Sequence, residues 1–252
     1  MNSILNISAY LFVSLDELQE RKNSYLSECL ERHLKGTILL SEEGINLFLA
    51  GAPEDVRGFV ESLRKDPQLE PLSPKESWSQ YQPFRKMIVK VKPEIIRMNH
   101  PAIQPQSGRA PSVSAKTLAQ WLRNGVDDRG REVVCLDTRN DFEVEIGKFV
   151  GAVDFNISHF SQFPQQALAH QKAFEDKTIV SYCTGGIRCE KAAIYMREIG
   201  LESVYQLEGG ILKYFEEVGS DHYQGSCFVF DERRALTPDL LPPNQPNQSK
   251  KT

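Results

Sequence analysis

Two hydrophobic periods alternate along the first hundred positions of the chain. ISAYLFVSL, residues 7–15, reads as a strand, and LDELQERKNSYLSECLERHL then repeats Leu15, Leu18, Tyr25, Leu26 and Leu30 at helical spacing. GTILLSEEGINLFLAG, residues 36–51, predicts two strands around a turn at Glu43-Gly44. APEDVRGFVESLRKD predicts a helix with Val56, Phe59, Val60 and Leu63 inward, and FRKMIVKVKPEI alternates as a strand. The order βαββαβ is that of a ferredoxin-like (acylphosphatase-like) α+β sandwich, one sheet with two helices on one face.

The pattern changes after residue 93. PEIIRMNHPAIQPQSGRAPS carries four prolines and little periodicity, as a linker or wrapping segment does. Beyond it helices and strands alternate: helix 114–124 with Leu118, Trp121 and Leu122 inward, strands 132–137, 152–156 and 179–183, helix 189–199, strand 203–207 and helix 209–218. The apolar run Val133-Val134-Cys135-Leu136 fits a parallel sheet covered on both faces. The expected organisation is a first domain at 1–93, a proline-rich linker at 94–113, an α/β domain with a C-terminal extension at 114–236, and a disordered tail rich in Pro, Asn and Gln at 237–252.

Composition changes this picture little. A chain of 252 residues suits two domains at ~100 to 200 residues each. The net charge of -4 offers no support for a nucleic-acid partner, but from Tyr81 to Lys116 seven basic residues face Glu94 alone. Strand alternation puts Lys86, Lys90 and Lys92 on one face and Arg85 on the other, with Arg97 further on. A phosphate-rich partner and a sheet edge blunted with lysine both account for such a stripe. Five cysteines without framework spacing suit a reducing compartment. The N-terminus lacks a basic n-region, and no apolar run approaches the ~18 residues of a membrane span, so a cytoplasmic protein is expected.

The chemistry concentrates in SYCTGGIRCEK, residues 181–191. The β-branched run before Cys183 and the helix expected from Cys189 make Cys183, Thr184, Gly185, Gly186, Ile187 and Arg188 a strand-to-helix turn that presents the cysteine. Two glycines leave N–H groups free to converge on the sulfur beside a helix N-terminus, and Arg188 adds positive charge. Such a cradle favours a thiolate over a free thiol, whose pKa is ~8.5. Cys183 is thus a candidate nucleophile or sulfur carrier; the plain alternative is a small packed residue at a strand end. Zinc is disfavoured because C-x2-C spacing is missing, and the five histidines form no ligand pattern, so no metal or organic cofactor is expected. A tyrosine-phosphatase loop is one residue longer and has a histidine where Tyr182 stands.

Residues 112–218 resemble a rhodanese domain: the loop above, CLDTRNDFEVEIGKFVGAVDFN with its Asp-x-Arg strand end, and YQLEGGI before the last helix. Lys148 replaces the histidine usual in that pattern. Together with SEEGINLFLAG, FRKMIVKVK and the closing FVFDERRAL, residues 5–236 resemble the oxygen-dependent tRNA uridine(34) hydroxylase family, in a short form without the cysteine-rich C-terminal extension of some relatives. The resemblance implies hydroxylation of the anticodon wobble uridine to 5-hydroxyuridine, with molecular oxygen as co-substrate and Cys183 as the reactive centre. A thiosulfate-type sulfurtransferase carrying a Cys183 persulfide is the alternative, and a noncatalytic binding module would not need the cysteine.

On this reading Thr184 to Arg188 form the anion cradle, and Arg85, Lys86, Lys90, Lys92 and Arg97 are candidates for holding the tRNA anticodon loop. Asp137 and Arg139 are supporting candidates at a neighbouring strand end, with an Arg139 to Glu143 pair as the structural alternative. Cys189 could resolve an oxidised Cys183 or merely pack. Gly44 and Asn46 could touch substrate, although a hairpin turn explains the glycine. No protein partner is indicated.

Overall fold

The computed structural model describes residues 4–243. Residues up to 97 together with Phe230–Arg233 form one compact unit, and the rest of the described chain forms a second. Part of the expected tail, residues 244–252, lies outside the described residues; within 237–243, Leu240 packs against the core of the second unit.

The first unit runs β1 (Ile4–Phe12), α1 (Leu18–Glu31), β2 (Lys35–Ser41), β3 (Gly44–Gly51), α2 (Pro53–Arg64), β4 (Lys75–Ser79) and β5 (Met87–Val91). Its sheet has the order β4-β1-β3-β2-β5, antiparallel except where β5 runs parallel to β2. The first four strands in that order make the ferredoxin-like motif, but the strand that closes it differs from the one the periodicity predicts. KESWS, at Lys75–Ser79, closes the motif beside β1, and the lysine-rich strand is an addition on the opposite edge. A short edge strand buries little, so KESWS carries almost no hydrophobic signature.

Strand alternation sends Leu5, Ile7, Ile38, Leu40, Ile45, Leu47, Leu49 and Val89 to the helix-covered face. There they meet Val56, Phe59, Val60 and Leu63 of α2, as the periodicity predicts, and Cys29 of α1. Leu30 does not join them: it is 57% exposed, and the smaller Cys29 beside it takes the inward position. α2 starts on Pro53, with Glu54 and Asp55 in its first turn and Arg64 in its last, an arrangement that suits the helix dipole.

The opposite face is tied down by polar groups. Ser41 Oγ donates to Pro93 O at 2.8 Å, and the amide of buried Asn46 donates to Ile95 O at 3.2 Å. Phe230–Arg233 supplies the second strap: Phe230 packs on Phe48, Arg233 reaches Ser77 Oγ at 2.8 Å, and Glu232 N donates to Pro83 O at 3.1 Å.

The second unit runs β6 (Ser112–Val113), α3 (Ala115–Asn124), β7 (Val133–Asp137), α4 (Asp141–Val144), β8 (Gly147–Phe149), β9 (Val153–Asp154), α5 (Phe163–His170), β10 (Thr178–Tyr182), α6 (Ile187–Glu198), β11 (Val204–Leu207), α7 (Gly210–Glu217), β12 (Tyr223–Gly225), β13 (Cys227–Phe228) and β14 (Ala235–Leu236). The main sheet is wholly parallel with the order β6-β11-β10-β7-β9. β6 falls in what the proline pattern marks as linker, yet it pairs with β11. Its two residues are too few to show a period.

α3 starts on Ser114, whose hydroxyl accepts from Thr117 N at 3.1 Å. Leu118 and Trp121 of α3 and Ile211, Tyr214 and Phe215 of α7 share one core with Cys135, Val180 and Tyr182 of the sheet. Phe149 is its centre, meeting Tyr182, Tyr214 and Tyr223 edge-on at 4.8, 4.7 and 5.2 Å between ring centroids. Such geometry sets ring edges against ring faces and fixes the packing angle. Among the described residues no helix is long and apolar enough to cross a membrane.

Gly44 is held by the sheet as well as by its turn. Its φ is +143°, and a Cβ there would stand 2.0 Å from Leu11 O on the paired strand. Replacing Gly44 with Ala is therefore expected to destabilise the first unit by about 2 kcal/mol or more, read as a lower denaturation midpoint by circular dichroism.

Candidate active site

β7 and β10 lie side by side, but the chain leaves them in opposite directions, toward β9 from one and toward β11 from the other. Such a divergence opens a crevice at the carboxyl ends of the two strands. Asp137, Thr138 and Arg139 enter it from β7, and Cys183 enters from β10, where Tyr182 pairs with Asp137.

The loop from Cys183 turns its N–H groups inward. Gly186 N donates to Cys183 Sγ at 3.1 Å, and the N–H of Arg188, in the first turn of α6, helps favour the charged form of the sulfur. Gly186 makes this possible by adopting φ +104°. Gly185 does not share that role: its φ is ordinary and a Cβ there would meet nothing within 4 Å. The loop carbonyls point the other way. Cys183 O and Thr184 O accept from Ile211 N and Leu212 N, at 3.0 and 3.1 Å, from the first turn of α7. Thr184 Oγ1 donates to Phe228 O at 3.3 Å, and Ile187 opens α6, whose N-terminal end faces the sulfur side of the loop.

Gly210 sits where α7 touches the loop. Its φ is +65°, and a Cβ would lie 2.4 Å from Cys183 O and 2.8 Å from Thr184 O.

Two buried ion pairs frame the crevice. Arg188 meets Glu143 two-pronged, at 2.6 and 2.7 Å, and Glu143 Oε1 also accepts from Asn140 N at 3.2 Å. Arg139 meets Asp137 through Nε at 2.9 Å and Nη2 at 2.6 Å, and Nη2 donates further to Gly147 O. The Arg139 to Glu143 ion pair is thus replaced by Arg188 to Glu143, and Arg139 reaches only the Glu143 carbonyl, at 3.4 Å. Thr138 joins the two strand ends: its N–H and its hydroxyl both donate to Tyr182 O at 3.0 Å.

The presentation expected of Cys183 is not what the structure holds, since the residue is 1% exposed. Burial opposes its charged form. A hydrogen bond from Cys189, the charge of Arg188 and the N–H groups of Arg188 and Gly186 outweigh that cost and hold its pKa below the ordinary thiol value. Cys189 moves the opposite way, raised by burial and by the neighbouring Cys183 sulfur. Cys29, Cys135 and Cys227 are pushed up to about 12, by burial above all. Among the described residues no group of three or more His, Cys, Asp or Glu is placed to hold a metal ion.

Cys183, the loop, Asp137, Arg139 and Cys189 come together in the second unit. Arg85, Lys86, Lys90, Lys92 and Arg97 belong to the first. Lys86, Lys90 and Lys92 are exposed on the sheet face opposite Val89, whereas Arg85 is paired with Glu232 at 2.8 Å. Sequence reasoning missed Thr138, Glu143 and Gly210 as parts of the site. The doubled glycine of EGGI, repeating the doubled glycine of the cysteine loop, is the signal that could have found Gly210.

Replacing Gly210 with Ala is expected to displace the cradle and cut activity at least ~100-fold while the protein stays folded, checked by initial rates and circular dichroism. Replacing Glu143 with Ala strands the Arg188 charge and is expected to cost about 3 kcal/mol or more of stability, checked by denaturant titration.

Residues 4–95 match the family model described as UPF0176 acylphosphatase like domain, and residues 118–217 match the Rhodanese-like domain model. The chain is 61% identical over 240 residues to the tRNA uridine(34) hydroxylase of Variovorax paradoxus, covering 95% of this chain and 91% of that one. It is 59% identical over 242 residues to the protein of the same name from Bordetella petrii, covering 96% of each. With both domains in this order and identity at this level over almost its whole length, the chain belongs to the tRNA uridine(34) hydroxylase family.

Proposed function

We propose that this chain hydroxylates the wobble uridine of tRNA, position 34, to 5-hydroxyuridine, with molecular oxygen as co-substrate and Cys183 as the reacting group. The observation that carries the role of Cys183 is its place at the crevice of the parallel sheet, where Gly186 N donates to its sulfur at 3.1 Å; the charge of Arg188 and the loop N–H groups favour its charged form. A thiolate is the nucleophilic form of cysteine, and the same donors stabilise any anion formed on the sulfur or beside it.

A uracil base must leave the stack to reach so enclosed a site. In an anticodon loop the bases are single-stranded, so unstacking costs little. Lys86, Lys90 and Lys92, exposed on one sheet face, supply the charge that holds the loop's phosphates. Arg97 adds to them; Arg85 contributes less, because Glu232 already neutralises it. Such a reaction places the protein with the tRNA pool of the cytoplasm.

Nucleoside mass spectrometry tests the assignment, on tRNA from cells that lack this gene and any redundant route, complemented aerobically. Wild type is expected to restore 5-hydroxyuridine and Cys183→Ala to leave it absent. Failure of both, with the purified protein moving sulfur from thiosulfate to cyanide, would replace the hydroxylase with a sulfurtransferase. For the basic face, each of Lys86→Ala, Lys90→Ala and Lys92→Ala is expected to lower the slope of log affinity against log salt by about one, with kcat nearly unchanged.

A further inference from the structure

Among the described residues Phe142 is the only exposed Phe, Tyr or Trp of the second unit, with 43% of its surface in water. Its place follows from α4 itself. Glu143 and Val144 turn inward and are buried, which leaves Phe142 on the outer side of this one-turn helix. The ring is nevertheless held: it meets Phe228 of β13 edge-on, with centroids 5.2 Å apart and planes at 85°. An edge-on neighbour covers one ring face at most, so it fixes the plane of Phe142 without closing both faces.

Each ring is tied to the cysteine loop through the chain that carries it. Glu143, the residue after Phe142, grips Arg188 at 2.6 and 2.7 Å. Phe228 O accepts from Thr184 Oγ1 at 3.3 Å. The aromatic pair therefore stands beside the loop, fastened to it at Thr184 and at Arg188.

We propose that Phe142, braced by Phe228, is a platform on which a base next to uridine 34 of the tRNA stacks while uridine 34 itself enters the Cys183 crevice. Withdrawing one base from a single-stranded loop leaves its neighbours with bare faces, and aromatic side chains cover such faces in proteins that splay bases apart. Charge decides against the phosphate backbone as the occupant. Asp141 and Glu145 flank Phe142 in the chain, so a phosphate would meet like charge there, whereas the uncharged face of a base would not. Asp141 Oδ1 accepts from Phe142 N at 2.7 Å, which keeps that carboxylate at the turn. The competing role, an apolar cover over the Arg188 to Glu143 pair, needs bulk but no aromatic ring.

The inference rests on the reading of this chain as a hydroxylase of uridine 34. The probe is a synthetic anticodon stem-loop RNA with uridine at that position, offered to the full-length protein. Wild type that neither binds nor hydroxylates it would sink that reading and the platform with it. 5-Iodouridine is then placed on either side of the target and irradiated, because this base couples to aromatic rings on which it stacks. A crosslink to Phe142, mapped by mass spectrometry, is expected from one of the two positions. Crosslinks to other residues alone, or none from the bound RNA, would overturn the platform and leave the hydroxylase reading standing.

Kinetics separate a platform from a cover. Phe142→Leu keeps the apolar bulk and is expected to raise KM for the stem-loop about tenfold with kcat nearly unchanged, whereas Phe142→Trp is expected to stay within about twofold of wild type. A KM for Phe142→Leu equal to wild type, or equal effects of Leu and Trp, would give the ring the covering role instead. Should Phe142→Leu fail to fold by circular dichroism, the crosslink to wild type decides by itself.

Discussion

The site depends on one constraint of backbone direction. A six-residue turn that aims N–H groups at a sulfur must send carbonyls elsewhere, and buried carbonyls need donors. The first turn of α7 provides them, because its leading N–H groups have no partner within the helix. Ile211 N and Leu212 N take Cys183 O and Thr184 O, and Gly210 lets the two backbones come that close. The cysteine loop and α7 are therefore one construction. The helix end that satisfies the carbonyls frees the opposite side of the loop for an anion.

Charge is managed by the same economy. Arginine beside a cysteine would attract any anion, but an unpaired guanidinium in so buried a crevice is costly. Glu143 and Asp137 compensate Arg188 and Arg139 with short, two-pronged contacts. Rigidity comes with this pairing, since each guanidinium is fixed in plane by its carboxylate. Arg188 remains close enough to lower the Cys183 pKa, while α4 and the segment after β7 are locked to the loop.

The first unit shows a different use of polar groups. A ferredoxin-like sheet leaves one face without helices, and here the segment after β5 and the Phe230–Arg233 strap occupy part of it. Phe230–Arg233 is the stretch of the C-terminal extension that belongs to the first unit. Its run of an aromatic and three charged residues is explained by that return: Phe230 packs on Phe48 of the sheet, and Asp231, Glu232 and Arg233 are each engaged in ion pairs.

Hydrophobic periodicity by itself determined the two-part architecture, the inward face of α2 and the parallel α/β alternation, because those elements bury a continuous apolar stripe whose spacing is written in the chain. The order of CTGGIRC determined the cysteine cradle, since a strand, a glycine turn and a helix in succession leave few paths for the backbone. Only the tertiary structure decided that KESWS closes the first sheet, that Glu143 rather than Asp137 holds Arg188, and that Gly210 and Thr138 belong to the site. These choices rest on contacts between segments far apart in the chain. A residue's local sequence states what it can donate, accept or bury, but the partner that meets it is selected by how the strands are ordered in space.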